Sequence, residues 1–83
     1  MSARVVFPLM NDRIVSDPAI CSGKPVIRGT RIAAHTILEF LAAGDSVEEV
    51  LEEYPAITRE DVQACLEYAS RLLANNYSVV SVA

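Results

Sequence analysis

The sequence has few of the residue types that build catalytic and metal centres. It contains one histidine, His35, and two cysteines, Cys21 and Cys65, which lie 44 positions apart with no CxxC pair. Neither a zinc site, nor a disulfide framework, nor a nucleophile beside a base is therefore indicated. We expect two reduced thiols, a surface or packing histidine, no cofactor, no bound metal and no enzymatic activity.

Long apolar runs and export signals are also missing. Nowhere do about eighteen apolar residues follow one another, and residues 1–10 have neither a long apolar core nor a small-residue cleavage site. These absences predict that the protein is neither a membrane protein nor exported. We therefore expect a soluble, cytoplasmic protein that does not associate with membranes.

The chain is short and rich in apolar residues. Its 83 residues suggest one domain, 1–83, divided into a β and loop arm at 1–33, a helical bundle at 34–76 and a tail at 77–83. A chain of this size buries only about 60% of its unfolded surface, yet 52% of its residues are hydrophobic. The apolar surplus predicts a homo-oligomer, a dimer or larger.

Charge is divided unevenly along the chain. Residues 1–33 carry five basic and two acidic side chains, whereas residues 34–83 carry two basic and nine acidic ones, for a net charge of −4. Such a division suggests that the two parts face different partners, or that the basic arm of one copy meets the acidic body of another.

The segment from Ser22 to Arg31, called the connector below, holds three of the seven basic residues. Gly23 and Gly29 can adopt positive φ, and Pro25 has a fixed φ. Because Val26-Ile27 is β-branched, we expect a turn, a short strand and a second turn.

In an extended connector the side chains alternate between two faces. The exposed cations would suit a phosphate or carboxylate partner. The alternative is an ordinary surface loop with solvated charges, and a Walker A loop is excluded because no Gly-Lys-Ser/Thr follows. The alternation predicts Lys24, Val26 and Arg28 on one face, and Pro25, Ile27 and Arg31 on the other.

Short β-like segments flank the connector and the helical part. Residues 4–9 permit an edge strand, residues 14–15 a second strand, and residues 19–21 a single helical turn. The tail is either a frayed end or a strand added to a partner's sheet. The candidate partner or oligomer contacts are Val5, Phe7, Val79, Val80 and the helical Phe40, which falls off its helix's apolar stripe.

Apolar periodicity predicts three helices. The first runs over 34–43 and ends at Gly44, and the second begins at a Ser46-to-Glu49 capping box and stops at Pro55. Thr58 caps the third, which lasts until 75–76. The predicted apolar face of the third helix contains Val62, Cys65, Leu66, Ala69, Leu72 and Leu73, whereas Glu48, Glu49, Glu52 and Glu53 form a solvated face of the second.

Short connections between these helices predict a mainly α fold, a three-helix homeodomain-like (helix-turn-helix) bundle with a short N-terminal β segment. If the third helix entered a DNA major groove, Arg59 and Gln63 would lie near the base edges. Glu60, Asp61 and Glu67 oppose that approach, so phosphate contacts are assigned to Lys24, Arg28 and Arg31.

Several blocks in order carry a family resemblance. They are Gly23-Lys24-Pro25-x-Ile27-x-Gly29-Thr30-Arg31-Ile32, Leu41-Ala42-Ala43-Gly44, Glu48 to Pro55 and Thr58-x-Glu60-Asp61-Val62. With them the chain closely resembles domain-of-unknown-function family 433 over about residues 14–69. The resemblance implies a homeodomain-like helical domain preceded by a small β segment.

The same resemblance implies a function. It suggests the antitoxin of a bacterial type II toxin-antitoxin pair, whose partners would be a PIN-like nuclease toxin and operator DNA. The alternative, which explains the acidity and the apolar surplus with fewer assumptions, is a protein-protein adaptor or oligomerisation module without nucleic-acid binding.

Overall fold

Two strands of two residues each precede three helices. The structure, a computed structural model, describes residues 11–76, without the side chains of residues 75 and 76. Val5, Phe7, Val79 and Val80 therefore lie outside the described residues. The elements are β1 (Ile14–Val15), a left-handed turn (Cys21–Gly23), β2 (Val26–Ile27), α1 (Ala34–Ala42), α2 (Val47–Glu53) and α3 (Arg59–Asn76).

The hairpin confirms the strands expected at 14–15 and in the connector. β1 and β2 are antiparallel, with Ile14 opposite Ile27 and Val15 opposite Val26. Both Val26 and Ile27 are 1% exposed, so both faces of this short strand are buried and the exposed cations of the connector flank it. The chain returns along β2 after a turn, and Ala33 forms a bridge with Val26, so the strand is enclosed on both edges.

The short helical turn expected at 19–21 lies two residues later and is left-handed. Cys21, Ser22 and Gly23 have φ values of 51°, 58° and 82°. Left-handed backbone is unfavourable for residues other than glycine, by about 1–2 kcal/mol each. Hydrogen bonds from the amides of Gly23 and Lys24 to the carbonyls of Ile20 and Cys21 hold the turn.

The helix ends follow the local signals in the sequence. Gly44 has a φ of 106°, its amide donates to Leu41, and the Asp45 amide donates to Phe40, which together form a Schellman cap. At the start of α2 the Ser46 hydroxyl accepts from the Glu49 amide while the Glu49 carboxylate accepts from the Ser46 amide. The predicted capping box is confirmed.

The core lies where the three helices meet the hairpin. It is built mainly from aliphatic side chains, and the ring of Phe40 packs edge-on against Tyr54 at a centroid distance of 5.7 Å. Phe40 thus contacts the residue that follows α2 in its own chain. The fully buried large side chains are Ile14, Val26, Ile27, Ile37, Val50, Val62 and Cys65.

The apolar face predicted for α3 is only partly correct. Val62 and Cys65 are buried, but Leu66 is 46% and Leu73 is 70% exposed. For Leu73 the reason is length, since α3 has 18 residues while α1 has nine and α2 seven. The C-terminal turns of α3 extend past the helices that could cover them. None of the helices in residues 11–76 is long and apolar enough to cross a membrane.

Candidate partner-binding site

The connector is fixed to the body of the protein by its backbone. The Arg28 amide donates to the Arg13 carbonyl at 2.8 Å, and the Ile27 amide donates to the Ile32 carbonyl at 2.9 Å. The Ala34 amide at the start of α1 donates to the Pro25 carbonyl at 2.9 Å. Since the strand between these bonds is also buried, the connector presents its side chains from a rigid base.

The two turns of the connector depend on the glycines that the sequence singled out. Gly29 has a φ of 81°, and the turn around it is closed by the Thr30 amide, which donates to the Ile27 carbonyl at 3.0 Å. Gly23 has a φ of 82°, and its carbonyl accepts the Ser16 hydroxyl at 2.6 Å. Positive φ at both positions agrees with the predicted turn, strand and turn.

The cations of the connector are exposed and have no acidic partner within the described residues. Lys24, Arg28 and Arg31 are all exposed, and no carboxylate of residues 11–76 lies within 4.0 Å of their charged atoms. The other arginines of residues 11–76 do have acidic partners, as Arg13 has in Asp61 at 3.0 Å. The connector therefore keeps its positive charge available for a partner.

A cleft of about 440 Å³ lies between the connector and the start of α1. Lys24 and Arg31 line it, whereas Arg28 does not. Two of the three connector cations thus line the cleft, and the third lies outside it. Other lining residues, which the sequence did not single out as contact residues, are Cys21, His35, Thr36 and Tyr54.

The N-terminus of α1 opens at this cleft. Its N-cap residue, Ala33, has no side chain that could accept a hydrogen bond from the first turn. The His35 amide has no acceptor within the described part of the chain. The His35 ring lies 3.8 Å from a carboxylate oxygen of Glu39, one turn along the helix. Unpaired amides at a helix start carry partial positive charge, which adds to that of the two cations.

Arg59 and Gln63, the residues expected at a DNA major groove, lie on α3 in an acidic setting. The Arg59 guanidinium bonds to the Glu48 carboxylate of α2, and this hydrogen bond holds the pKa of Glu48 below its usual value. Gln63 lines a separate groove with Asp12, Glu60 and Glu67. Neither residue lines the cleft beside the connector.

Asn11 and Arg13 join the hairpin to α3, a contact for which the sequence contains no local signal. The Asn11 side-chain amide donates to the Ala64 carbonyl and to the Glu67 carboxylate, both at 3.1 Å. A guanidinium nitrogen of Arg13 donates to Asp61 at 3.0 Å. The partners lie more than 45 positions apart, so periodicity and turn signals could not have paired them.

The two cysteines differ in environment. Cys65 is buried, and burial raises the pKa of its thiol to about 11, with the Asp61 carboxylate contributing. Cys21 is half-buried in the cleft, and its thiol donates to the Arg31 carbonyl at 3.2 Å. Residues 11–76 contain no group of three or more His, Cys, Asp or Glu side chains that could hold a metal ion.

The fold and the connector match a known family. Residues 14–69 match the family model described as protein of unknown function (DUF433), and because this covers more than half of the chain, the protein belongs to that family. A crystal structure of a DUF433 member from Anabaena variabilis ATCC 29413 is 33% identical in sequence. The two structures match with a TM-score of 0.69, and the match covers 74% of this chain and 60% of the Anabaena chain.

A curated relative is similar in sequence but longer. The uncharacterized protein y4eO of Sinorhizobium fredii (strain NBRC 101917 / NGR234) is 39% identical over 56 residues, which is 68% of this chain and 25% of the relative. The chain thus spans about a quarter of that relative and 60% of the solved family member.

Proposed function

We propose that the protein is the antitoxin of a bacterial type II toxin-antitoxin pair and that it binds and inhibits a PIN-like nuclease toxin through the connector. The single observation that carries this proposal is the set of three exposed cations, Lys24, Arg28 and Arg31, on a backbone bonded to both the hairpin and α1. A rigid cationic surface loses little entropy when it meets an anionic target.

The inhibitory step follows from charge. A PIN-like active site gathers carboxylates that hold magnesium, and magnesium sites of this kind leave several positions to water and substrate. A guanidinium forms bidentate, charge-assisted hydrogen bonds with carboxylates. An arginine of the connector placed among them neutralises the site without the metal. The antitoxin performs no chemistry of its own and is not an enzyme.

Co-expression with the adjacent open reading frame tests the proposal. A neighbouring nuclease should arrest growth alone and be neutralised by the wild-type chain, with both proteins purifying together. The variant Arg28→Ala plus Arg31→Ala should lose this rescue, whereas Arg59→Ala, which removes an arginine bonded within the chain, should keep it. Intact rescue by the connector variant would show that inhibition uses another surface.

Operator DNA is a second proposed partner, contacted through phosphates by the connector. The neutralisation of Arg59 by Glu48 and the acids around Gln63 weaken the case for base reading by α3. A gel-shift titration should show affinity falling steeply as salt rises from about 50 to 200 mM, because phosphate binding releases counterions. Affinity independent of salt would exclude phosphate contacts.

A protein-protein adaptor without nucleic-acid binding is the competing candidate. The exposure of Leu66 and Leu73 on α3 favours it, since large apolar side chains on one helix face are typical of association surfaces. A purified partner that depends on these leucines, with no DNA shift at any salt and no nuclease inhibition, would favour the adaptor over the antitoxin.

A further inference from the structure

The cleft beside the connector has the features of a receptor for one anionic group. Lys24 and Arg31 line it from the connector, and neither charge is paired with a carboxylate within residues 11–76. Arg28 belongs to the same basic segment but does not line the cleft. Charge complementarity therefore identifies one small site inside a broader basic surface.

The lining of the cleft suits a side chain that has an apolar stem and an anionic end. At about 440 Å³ it falls in the range of small-ligand sites, and Ile32, Ala33 and Tyr54 provide an apolar wall. An acidic side chain could place its methylene groups against that wall and its carboxylate near the two cations. Such charge-assisted contacts are among the stronger polar interactions in proteins.

The net charge of the chain disfavours nucleic acid as the occupant. The chain has a net charge of −4, and all four glutamates of α2 are exposed. A nucleic acid needs several adjacent cations along its backbone to offset repulsion from such a body. A single carboxylate on a protein surface needs only the two that line the cleft.

We propose that the cleft receives one aspartate or glutamate side chain of the partner protein, held between Lys24 and Arg31, while Arg28 contacts the partner outside it. This inference rests on the proposed function and specifies how the connector engages the toxin. The inference gives the connector cations different roles. Lys24 and Arg31 should together bind one carboxylate, and Arg28 should take no part in that pocket.

Cys21 provides a direct readout of cleft occupancy. The sequence has only two cysteines, and Cys65 is buried with a thiol pKa raised to about 11 by burial. N-ethylmaleimide is uncharged, so its reaction with Cys21 in the folded protein reports access to the cleft and not attraction to the cations. Mass spectrometry distinguishes labelling at the two sites.

The experiment compares free antitoxin with its complex with the nuclease encoded beside it. In the complex the labelling rate of Cys21 should fall about tenfold or more. Lys24→Met and Arg31→Met keep much of the apolar stem and remove the charge, and each should weaken binding by about 10- to 100-fold in calorimetry. Arg28→Met is the matched control and should weaken binding several-fold less than either.

The outcomes separate the two proposals. A complex that forms with Cys21 still fully reactive, and with equal effects of the three substitutions, overturns the cleft proposal while the antitoxin function stands. No binding to the nuclease at any concentration overturns both. A third outcome is that a 5′-phosphorylated oligonucleotide protects Cys21, that Lys24→Met and Arg31→Met abolish this protection, and that the nuclease gives none. The occupant of the cleft would then be a phosphate and not a carboxylate, which also overturns the proposal.

Discussion

Arg13 and Asp61 join the hairpin to the first turn of α3, with a guanidinium nitrogen 3.0 Å from a carboxylate oxygen. Asp61 is 9% exposed, and its second oxygen accepts the Thr58 amide at 2.9 Å. One carboxylate thus completes the helix cap and anchors the strand that pairs with the connector. Together with the hydrogen bonds of the Asn11 side chain, this contact orients the hairpin on α3.

Arg13→Ala should lower the free energy of unfolding by about 1–2 kcal/mol, because it leaves Asp61 with only its cap bonds in a mostly buried position. The arginine side chain is half exposed, so the loss stays below that of a fully buried pair. Urea unfolding at neutral pH measures it. Arg28→Ala, which removes an exposed arginine, serves as the control and should change stability by less than about 0.5 kcal/mol.

Local signals in the sequence predicted much of the fold. The Ser46 and Glu49 capping box and the Gly44 cap each depend on residues within five positions, and both appear as expected. The Arg13 and Asp61 contact joins residues 48 positions apart. No spacing rule relates two such residues, so the sequence could not reveal how the hairpin sits on α3.

The candidate site was also predictable in part. The exposure of the connector cations followed from composition, but the burial of both Val26 and Ile27 depends on the return of the chain along β2. The cleft needs the connector, α1 and Tyr54 together. Each of these elements was predicted. They come together through tertiary packing, which has no local pattern in the sequence.

Burial of the Cys65 thiol should make stability depend on alkaline pH. Its pKa is raised to about 11 in the folded protein, against about 8.5–9 in an unfolded chain. Above pH ~9 the unfolded chain loses this proton and the folded protein keeps it, so the thiol's contribution to stability falls as pH rises. The contribution is fully present below pH ~8.5.

Comparison with Cys65→Ala isolates this effect. The stability advantage of the wild type over the variant should shrink by about 1–2 kcal/mol between pH 8 and pH 10 in urea unfolding. Tyrosine and lysine ionisation affects both proteins equally and cancels. Cys21→Ala, which removes the half-buried thiol, is measured beside it to show that the effect belongs to Cys65. An advantage that is constant with pH would mean that the Cys65 thiol ionises equally in both states.

The contact between Arg59 and Glu48 should be visible in a carboxyl titration. The hydrogen bond from Arg59 lowers the pKa of Glu48, so this carboxyl should lose its proton at lower pH than in the variant Arg59→Gln when followed by NMR. Since the folded pKa is lowered, the contact stabilises the protein above the unfolded pKa and is lost as the solution is acidified. An unchanged titration in the variant would rule out the contact.

The exposed leucines of α3 should mediate association. Leu66 and Leu73 are seven residues apart, 46% and 70% exposed, and so share one face of the helix. Burying such side chains at an interface contributes roughly 1–2 kcal/mol each. Leu66→Gln plus Leu73→Gln should therefore raise the dissociation constant for self-association about tenfold or more in sedimentation velocity.

The folded monomer should tolerate this change, because neither leucine is buried within the described residues. We expect the free energy of unfolding to change by less than about 0.5 kcal/mol, measured at a concentration below the dissociation constant. Ala74→Gln is the matched control, since it adds the same polar group at an exposed position of the same helix and should leave association unchanged. Equal association of wild type and double variant would exclude this face as the interface, whereas a large loss of stability would mean that the leucines pack inside the monomer.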